Sequence, residues 1–133
     1  MKIAVDTNVL VRAVLQDDEL QGRLASQLLR QASVIAVSLS CLCELVWVLR
    51  RAAKLSKDEV ATTLRDLLAA ENVVMNRSAV EAGLAILEAG GDFADGIMAY
   101  EGFWLGGETF VSFDRKAVKL ISEQGQIARL LGD

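Results

Sequence analysis

Short apolar segments alternate with amphipathic helices along this chain, and this alternation restricts its fold more than any other feature. The strand candidates are residues 2–5, 34–37, 73–75 and 109–113, which are mostly apolar. Strands that are apolar on both faces are typical of a parallel sheet covered by helices on both sides. Helical connections between strands produce such a sheet. The sequence therefore predicts an α/β fold with a central parallel sheet of four to five strands, flanked by helices on both faces.

Length and composition predict a single domain over residues 1–133. The chain is 53% hydrophobic with a mean hydropathy of +0.34, which favours a compact core over disorder. The longest apolar stretch is interrupted by Glu44, so no membrane span is expected. Asp6 follows the first residues too early for a signal peptide. Cys41 and Cys43 are too close together to form a useful cross-link and are expected to be reduced. We therefore expect a cytoplasmic protein.

Local signals predict where several helices begin. Ser40 is the candidate N-cap of the apolar helix that carries Glu44. Ser56–Glu59 and Ser78–Glu81 both read as capping boxes. An earlier helix has leucines at one-turn spacing, namely Leu20, Leu24 and Leu28. The segment 127–131 carries no clear pattern.

Four acidic residues stand in apolar surroundings. Asp6 and Asp114 each follow a strand candidate directly, at the end where open parallel sheets place their sites. Helix capping is an equal alternative for both, and Asp95 could simply be the third residue of a helix capped by Asp92. Glu44 is expected to be buried in its apolar helix. A buried unpaired carboxylate is costly, so its partner would be either a metal ion or the arginine seven residues later.

The residues that are missing exclude several kinds of catalysis. The chain has no histidine, which excludes Ser-His-Asp and Cys-His catalysis as well as histidine-rich zinc sites. It also lacks a glycine-rich phosphate loop. Oxygen ligands for a hard cation remain, and we expect the four acids to converge on Mg²⁺, with Mn²⁺ as the alternative. Such a cation would activate water against a phosphoryl substrate. The net charge of −4 does not by itself indicate nucleic-acid binding.

Four motifs, taken together, resemble a PIN-domain ribonuclease, and within that family the VapC toxins of bacterial toxin–antitoxin pairs. They are Asp6-Thr7-Asn8-Val9-Leu10, the segment 40–49, Asp92-Phe93-Ala94-Asp95, and Ser112-Phe113-Asp114-Arg115-Lys116-Ala117. The resemblance spans nearly the whole chain. It implies a PIN-like fold, an endoribonuclease dependent on Mg²⁺ or Mn²⁺, and a homodimer. It also implies a small VapB-like antitoxin that itself binds operator DNA, and an RNA substrate for which transfer RNA is the first guess.

The resemblance also assigns roles to individual residues. The acidic metal site would consist of Asp6, Glu44, Asp95 and Asp114. The polar positions that orient these acids would be Asn8 and Ser112, with Asp92 as a possible outer ligand. Candidates for holding the RNA backbone are Arg51, Arg115 and Lys116, although each taken alone is more simply explained as a solvated cation at a helix end. The chain departs from the usual pattern at Gly96, Ile97, Tyr100 and Ser112, without losing a carboxylate.

Two other functions stay open. A catalytically weak PIN-like module could bind only a protein partner, although such modules usually lack one or more of the acids. A metal-dependent phosphatase of the haloacid-dehalogenase type also places an aspartate after its first strand. That family needs a second aspartate two residues later, where this chain has Asn8. The nuclease remains the favoured interpretation.

Overall fold

The computed structural model of the protein describes residues 1–132. Over that range, five short strands alternate with seven α-helices and one π-helical segment. In chain order the elements are β1 (Lys2–Ala4), α1 (Thr7–Leu15), α2 (Glu19–Gln31), β2 (Val34–Ala36), α3 (Leu39–Trp47), the π-helical segment (Val48–Ala52), α4 (Lys57–Ala69), β3 (Val73–Val74), α5 (Arg77–Glu88), α6 (Phe93–Trp104), β4 (Phe110–Ser112), α7 (Arg115–Glu123) and β5 (Ala128–Leu130).

The chain divides into two compact units, the first of which is Met1–Asn76. Its sheet has the order β1-β2-β3, and both strand pairs are parallel. The register places Ile35 between Ile3 on one side and Val73 on the other. Helices α1 to α4 belong to this unit, and α1 contacts both α2 and α3. The N-terminal unit is therefore a parallel α/β arrangement, as the alternation predicts.

In the N-terminal unit, side-chain caps begin α2, α3 and α4. The α4 capping box is confirmed: the Ser56 hydroxyl accepts from the Glu59 N–H at 3.1 Å, and the Ser56 N–H donates to Glu59 Oε1 at 3.0 Å. The predicted cap of α3 is wrong. Ser38, not Ser40, has the extended backbone of an N-cap, and its hydroxyl accepts from the Cys41 N–H at 3.1 Å. Since α3 begins at Leu39, Ser40 already lies inside its first turn.

Two of the three leucines at one-turn spacing in α2 do not face inward, whereas Leu28 is half-buried. Leu20 and Leu24 are exposed, and the buried residues of this helix are Gly22 and Ala25. Small residues let α2 approach α1 closely, because a Cβ at Gly22 would lie only 3.3 Å from the backbone oxygen of Arg12. The close approach leaves Leu20 and Leu24 toward solvent.

The second unit begins at Arg77 and contains α5, α6, α7 and a parallel β4–β5 pair. Phe110 pairs with Ala128, so the segment without a clear sequence pattern contains a short strand. The predicted start of α5 is wrong: the helix begins at Arg77, so Ser78 lies within it and is not its cap. The core cluster of this unit consists of Ile86, Ala99, Leu120 and Ile121, with Phe103, Phe110 and Ala128 packed against it.

Glycines allow α5 and α6 to pack closely. A Cβ at Gly96 would lie 2.7 Å from the Cα of Gly83 and 2.8 Å from the backbone oxygen of Ala82. Both distances are shorter than any normal contact. The glycine at position 96, a departure from the resembled family, is therefore required by the approach of the two helices.

The predicted α/β fold class is confirmed, with parallel strands flanked by helices. The hydrogen-bonded strands form a three-stranded sheet in the first unit and a two-stranded sheet in the second. None of the helices in residues 1–132 combines the length and apolar character needed to cross a membrane.

Candidate active site

Asp6 occupies the N-cap position of α1 but does not use its side chain as a cap. Its backbone is extended, its carbonyl accepts from the Val9 N–H at 3.0 Å, and its carboxylate accepts no capping hydrogen bond. The residue is exposed. Capping was the alternative explanation for an aspartate at this position, and it does not account for the carboxylate. The side chain is therefore available to bind a ligand.

Thr7 connects Asp6's helix to Glu44. Its side chain is only 6% exposed, and its hydroxyl donates to Glu44 Oε2 at 3.1 Å, joining the first residue of α1 to the middle of α3. Sequence reasoning missed this residue. The available signal was helix periodicity, since Thr7 lies on the same helix face as the buried Leu10 and Val11. A hydroxyl on that inward face needs a polar partner.

Glu44 itself is exposed, and the prediction that it is buried is wrong. Helix α3 buries a different face, made of Cys41, Leu42, Leu45 and Val46. The face that carries Glu44 also carries Trp47, which is 62% exposed. Desolvation therefore does not force a cation onto Glu44. Within the described residues the alternative, a pair with Arg51, does not form either, and the partner that the structure provides is Thr7.

Two carboxylates of the N-terminal unit act on the same thiol. Burial raises the pKa of Cys41, the hydrogen bond with Thr7 lowers it, and the negative charges of Asp6 and Glu44 raise it further. Both carboxylates must therefore lie near the first turn of α3. Neither Cys41 nor Cys43 forms a disulfide, as predicted, and Cys41 is buried. The N-terminal unit thus groups Asp6, Thr7 and Glu44 around one thiol.

The C-terminal unit groups three aspartates. Asp92 caps α6 by accepting from the Ala94 N–H at 3.0 Å, and Asp95 is the third residue of that helix, as the capping alternative predicts. Asp95 is partly buried. Its pKa is raised by burial first, then by the charges of Asp92 and Asp114. Asp92 and Asp114 therefore both repel the Asp95 carboxylate, and a cation beside Asp95 would relieve that repulsion.

Asp114 is both a cap and a candidate ligand. Its Oδ1 accepts from the N–H groups of Lys116 at 2.9 Å and Ala117 at 3.1 Å, so α7 begins at Arg115. The capping alternative is correct for this residue, yet capping occupies only one of its carboxylate oxygens. Ser112 supports the same turn, since its hydroxyl accepts from the Asp114 N–H at 2.9 Å. Ser112 therefore holds the backbone of the turn that carries Asp114, and its role in orienting the carboxylate stays a prediction.

The other candidate residues are on the surface. Asn8 is exposed in the first turn of α1 and makes no side-chain hydrogen bond within residues 1–132. Arg51 is exposed in the π-helical segment. Arg115 and Lys116 are exposed in the first turn of α7. Their roles toward RNA stay predictions.

The donor atoms suit a hard cation, although no complete cluster is assembled. In the described part of the chain, no three or more His, Cys, Asp or Glu side chains are grouped closely enough to hold a metal ion. The donors are nevertheless carboxylate oxygens, which Mg²⁺ and Mn²⁺ prefer. A cation would also offset the repulsion that Asp92 and Asp114 exert on the Asp95 carboxylate. The assignment of Asp6, Glu44, Asp95 and Asp114 as its ligands stays a prediction.

Comparison with known proteins identifies the family. The family model described as the PIN domain matches residues 3–120, which include all four candidate acids. No curated protein sequence matches the chain. The family match agrees with the parallel α/β arrangement and with the four acidic motifs. The chain therefore belongs to the PIN domain family, whose members are generally metal-dependent nucleases.

Proposed function

We propose that this protein is an endoribonuclease dependent on Mg²⁺ or Mn²⁺, built as one PIN domain over residues 1–133, and that it acts as the VapC-type toxin of a toxin–antitoxin pair. The observation that carries the proposal is the like-charge cluster at Asp95. Burial and the carboxylates of Asp92 and Asp114 raise its pKa. The chain belongs to a nuclease family and holds acids close together despite their repulsion. Such an arrangement is suited to binding a cation.

The candidate ligands are the four motif acids, Asp6, Glu44, Asp95 and Asp114. When bound, a divalent cation would activate water and offset the negative charge of a phosphodiester. Thr7 holds the Glu44 carboxylate through its hydrogen bond, and Ser112 supports the turn that presents Asp114. The first contact restricts a carboxylate directly, and the second restricts the backbone that carries one. Arg51, Arg115 and Lys116 are the cations proposed to hold the RNA backbone.

The proposed partners follow the same assignment. A small VapB-like antitoxin would bind this chain and contact operator DNA, and the toxin would form a homodimer in the cytoplasm. A groove of about 310 Å³ between α1 and α2 supports a docked antitoxin segment. It is lined by Val9, Leu24 and Leu28, together with the polar Asn8, Arg12 and Gln21. The exposed Leu24 of α2 is then an interface residue. Transfer RNA is the proposed substrate.

An RNA cleavage assay tests the proposal. Antitoxin-free protein is incubated with total bacterial RNA in Mg²⁺, in Mn²⁺ and in chelator, beside Asp6→Asn. We expect discrete cleavage that requires a metal. The cleavage rate should fall at least about 100-fold in the variant, because loss of an outer-shell partner of a metal ligand already lowers activity by about 10- to 100-fold and loss of the ligand itself should lower it at least as much. The matched control is Asp66→Asn, which removes an exposed aspartate of α4 and should cleave normally.

Each other outcome has a definite meaning. Cleavage that persists in Asp6→Asn would remove this residue from the site. Absence of cleavage in every metal condition would contradict the nuclease and favour the protein-binding module. Sequencing the new RNA ends would identify the target and check the transfer RNA assignment.

A further inference from the structure

The C-terminal unit contains a cavity that none of the candidate acids lines. It lies between α5, α6 and the end of α7, and its volume is about 220 Å³. Four of its lining residues are buried, namely Ile86, Gly96, Ala99 and Ile121. Three of these belong to the core cluster of the unit. The cavity therefore extends from the surface to the hydrophobic core.

Small side chains create this cavity. Helix α5 contributes Ala82 and Ala85 to its lining, and α6 contributes Gly96 and Ala99. A Cβ at Gly96 would already lie 2.8 Å from the backbone oxygen of Ala82, so the two helices cannot move closer to fill the space. Protein interiors are otherwise packed with few voids, and an unfilled cavity lowers stability. A space that the fold keeps open at this cost is suited to holding a ligand.

Three polar side chains also line the cavity. Tyr100 is half-buried on α6, while Gln124 and Gln126 are exposed at and just beyond the end of α7. Within residues 1–132, none of these three side chains makes a hydrogen bond. A phenol and two carboxamides can both donate and accept. Their hydrogen-bonding groups are therefore available to a molecule in the cavity.

The lining carries no charge. Every lining residue that the structure describes is apolar, a tyrosine or a glutamine. An ionised ligand would lose its hydration there without gaining an opposite charge, which is costly. Small-molecule sites are typically apolar with a few polar groups that fix orientation, and this cavity has the same composition. The ligand that it suits is therefore a neutral molecule with an apolar body and a polar edge.

The volume limits the ligand to a small ring compound. An apolar cavity of about 150 Å³ binds benzene, so one of about 220 Å³ has room for a fused two-ring compound. Tyr100 and Phe103 provide aromatic rings on which a flat ligand packs well. A helix of a partner protein, which is about 10 Å wide with its side chains, is too large to enter. At most a single side chain of another protein would fit.

We propose that this cavity binds a neutral heteroaromatic compound of about the size of indole, with its polar edge directed toward Tyr100, Gln124 and Gln126. This inference goes beyond the proposed nuclease function and does not depend on it. Because Gly96 lines the cavity and directly follows Asp95, the bound compound would lie against the part of α6 that carries this acid.

Fluorine NMR reports on the cavity directly. Tyr100 is the only tyrosine of the chain, so fluorotyrosine labelling places a single reporter there. The labelled protein is titrated with indole as the probe, and we expect its one resonance to shift saturably with a Kd below about 1 mM. Ala85→Leu, which fills part of the cavity, should abolish the shift. An unmoved resonance in the wild-type protein would overturn the proposal.

Ala69→Leu is the matched control for the filling substitution. Ala69 is exposed in the last turn of α4, so the same exchange there should leave indole binding at the wild-type level. Equal loss of binding in both leucine variants would show that the effect does not come from the cavity. Equal retention of binding in both would place indole elsewhere and overturn the proposal.

The polar edge can be tested without changing the core. Indene has the shape of indole but lacks the ring N–H, so we expect the wild-type protein to bind indole about 2- to 10-fold more tightly in calorimetry. At least one of Tyr100→Phe, Gln124→Met and Gln126→Met should remove this difference. Gln27→Met, at an exposed position of α2, should retain it. Equal wild-type affinity for the two probes would overturn the proposed polar edge and the heteroaromatic class.

A second copy of the chain is the alternative occupant, because one of its side chains could enter the cavity. If Ala85→Leu dissociates an oligomer in light scattering and indole binds at no protein concentration, the cavity is a contact between copies and the proposal is overturned. The nuclease is judged separately. Indole binding by a protein that cuts no RNA would leave the cavity assignment intact, and RNA cleavage without indole binding would leave only the nuclease.

Discussion

The Thr7 hydroxyl donates to Glu44 Oε2 at 3.1 Å, across 37 positions of sequence. The donor is the first residue of α1, directly after Asp6, and the acceptor is in the middle of α3. Since Thr7 is buried and Glu44 is exposed, the bond holds a surface carboxylate from beneath. Because Thr7 directly follows Asp6, the bond links the backbone beside one candidate acid to the carboxylate of another.

Removal of this hydroxyl should disturb Glu44 more than the fold. Thr7→Val keeps the shape of the side chain but cannot donate, and we expect it to lower the free energy of unfolding by about 1 kcal/mol. RNA cleavage should fall about 10- to 100-fold because the carboxylate loses its orientation. Thr7→Ser, which retains the donor, should recover most of the activity. Urea unfolding and cleavage rates measure the two effects.

Thr62→Val is the matched control for this substitution. Thr62 is exposed on α4, and its hydroxyl donates to the Asp58 carbonyl at 3.0 Å. The same exchange there should leave cleavage unchanged. Equal activity of Thr7→Val and the wild-type protein would show that Glu44 does not need this hydrogen bond.

Divalent cations should stabilise the protein if the acids bind them. A ligand that binds only the folded state raises the melting temperature, so Mg²⁺ or Mn²⁺ at about 100 times the Kd should stabilise the fold by about 2.7 kcal/mol. Asp6→Asn and Asp95→Asn should each reduce this shift, whereas Asp66→Asn should not. Differential scanning fluorimetry with and without chelator measures it. An undiminished shift in both site variants would disprove the ligand assignment.

The carboxyl group of Asp95 should make the metal-free protein less stable as pH rises. Burial, together with Asp92 and Asp114, raises its pKa above the ordinary 3.8. Below that value the group is protonated in both the folded and unfolded states, so it contributes nothing. Above it the unfolded state ionises more readily, and folding stability is lost. Asp95→Asn should therefore raise the melting temperature by a few degrees at pH 7 in chelator.

This gain should disappear as the pH falls toward 4, which thermal unfolding across the pH range would detect. Glu101→Gln is a suitable control because Glu101 is exposed on the same helix, α6. We expect its effect at pH 7 to be smaller. A melting temperature for Asp95→Asn that follows the wild-type value at every pH would contradict the repulsion of Asp95 by Asp92 and Asp114.

Two glycines of α6 should respond oppositely to alanine. A Cβ at Gly96 would meet the backbone of α5, so Gly96→Ala should destabilise the protein by about 1–3 kcal/mol. A Cβ at Gly102 would meet no neighbouring atom within 4 Å, and Gly102→Ala should stabilise the helix by about 0.5–1 kcal/mol. Urea unfolding of the two variants checks the pair. A neutral Gly96→Ala would show that α5 and α6 can separate without cost.

Local chemistry determined much of what could be predicted. The capping box at Ser56 and Glu59 forms as expected, because its two hydrogen bonds join residues three apart. The caps at Asp92 and Asp114 are local for the same reason. The wrong starts of α3 and α5 also arise locally, since the chain offers several polar residues within one turn and only backbone geometry selects among them.

Hydrophobic periodicity and the residues that follow each strand were enough to predict the α/β class and to locate the family motifs with their four acids. The exposure of Glu44 and its hydrogen bond with Thr7 became visible only in the packed fold. Which face of α3 is buried depends on what packs against it, and α1 packs there from far away in sequence. The sequence shows which residues could make such a contact, but it does not show that the fold brings them within hydrogen-bonding distance.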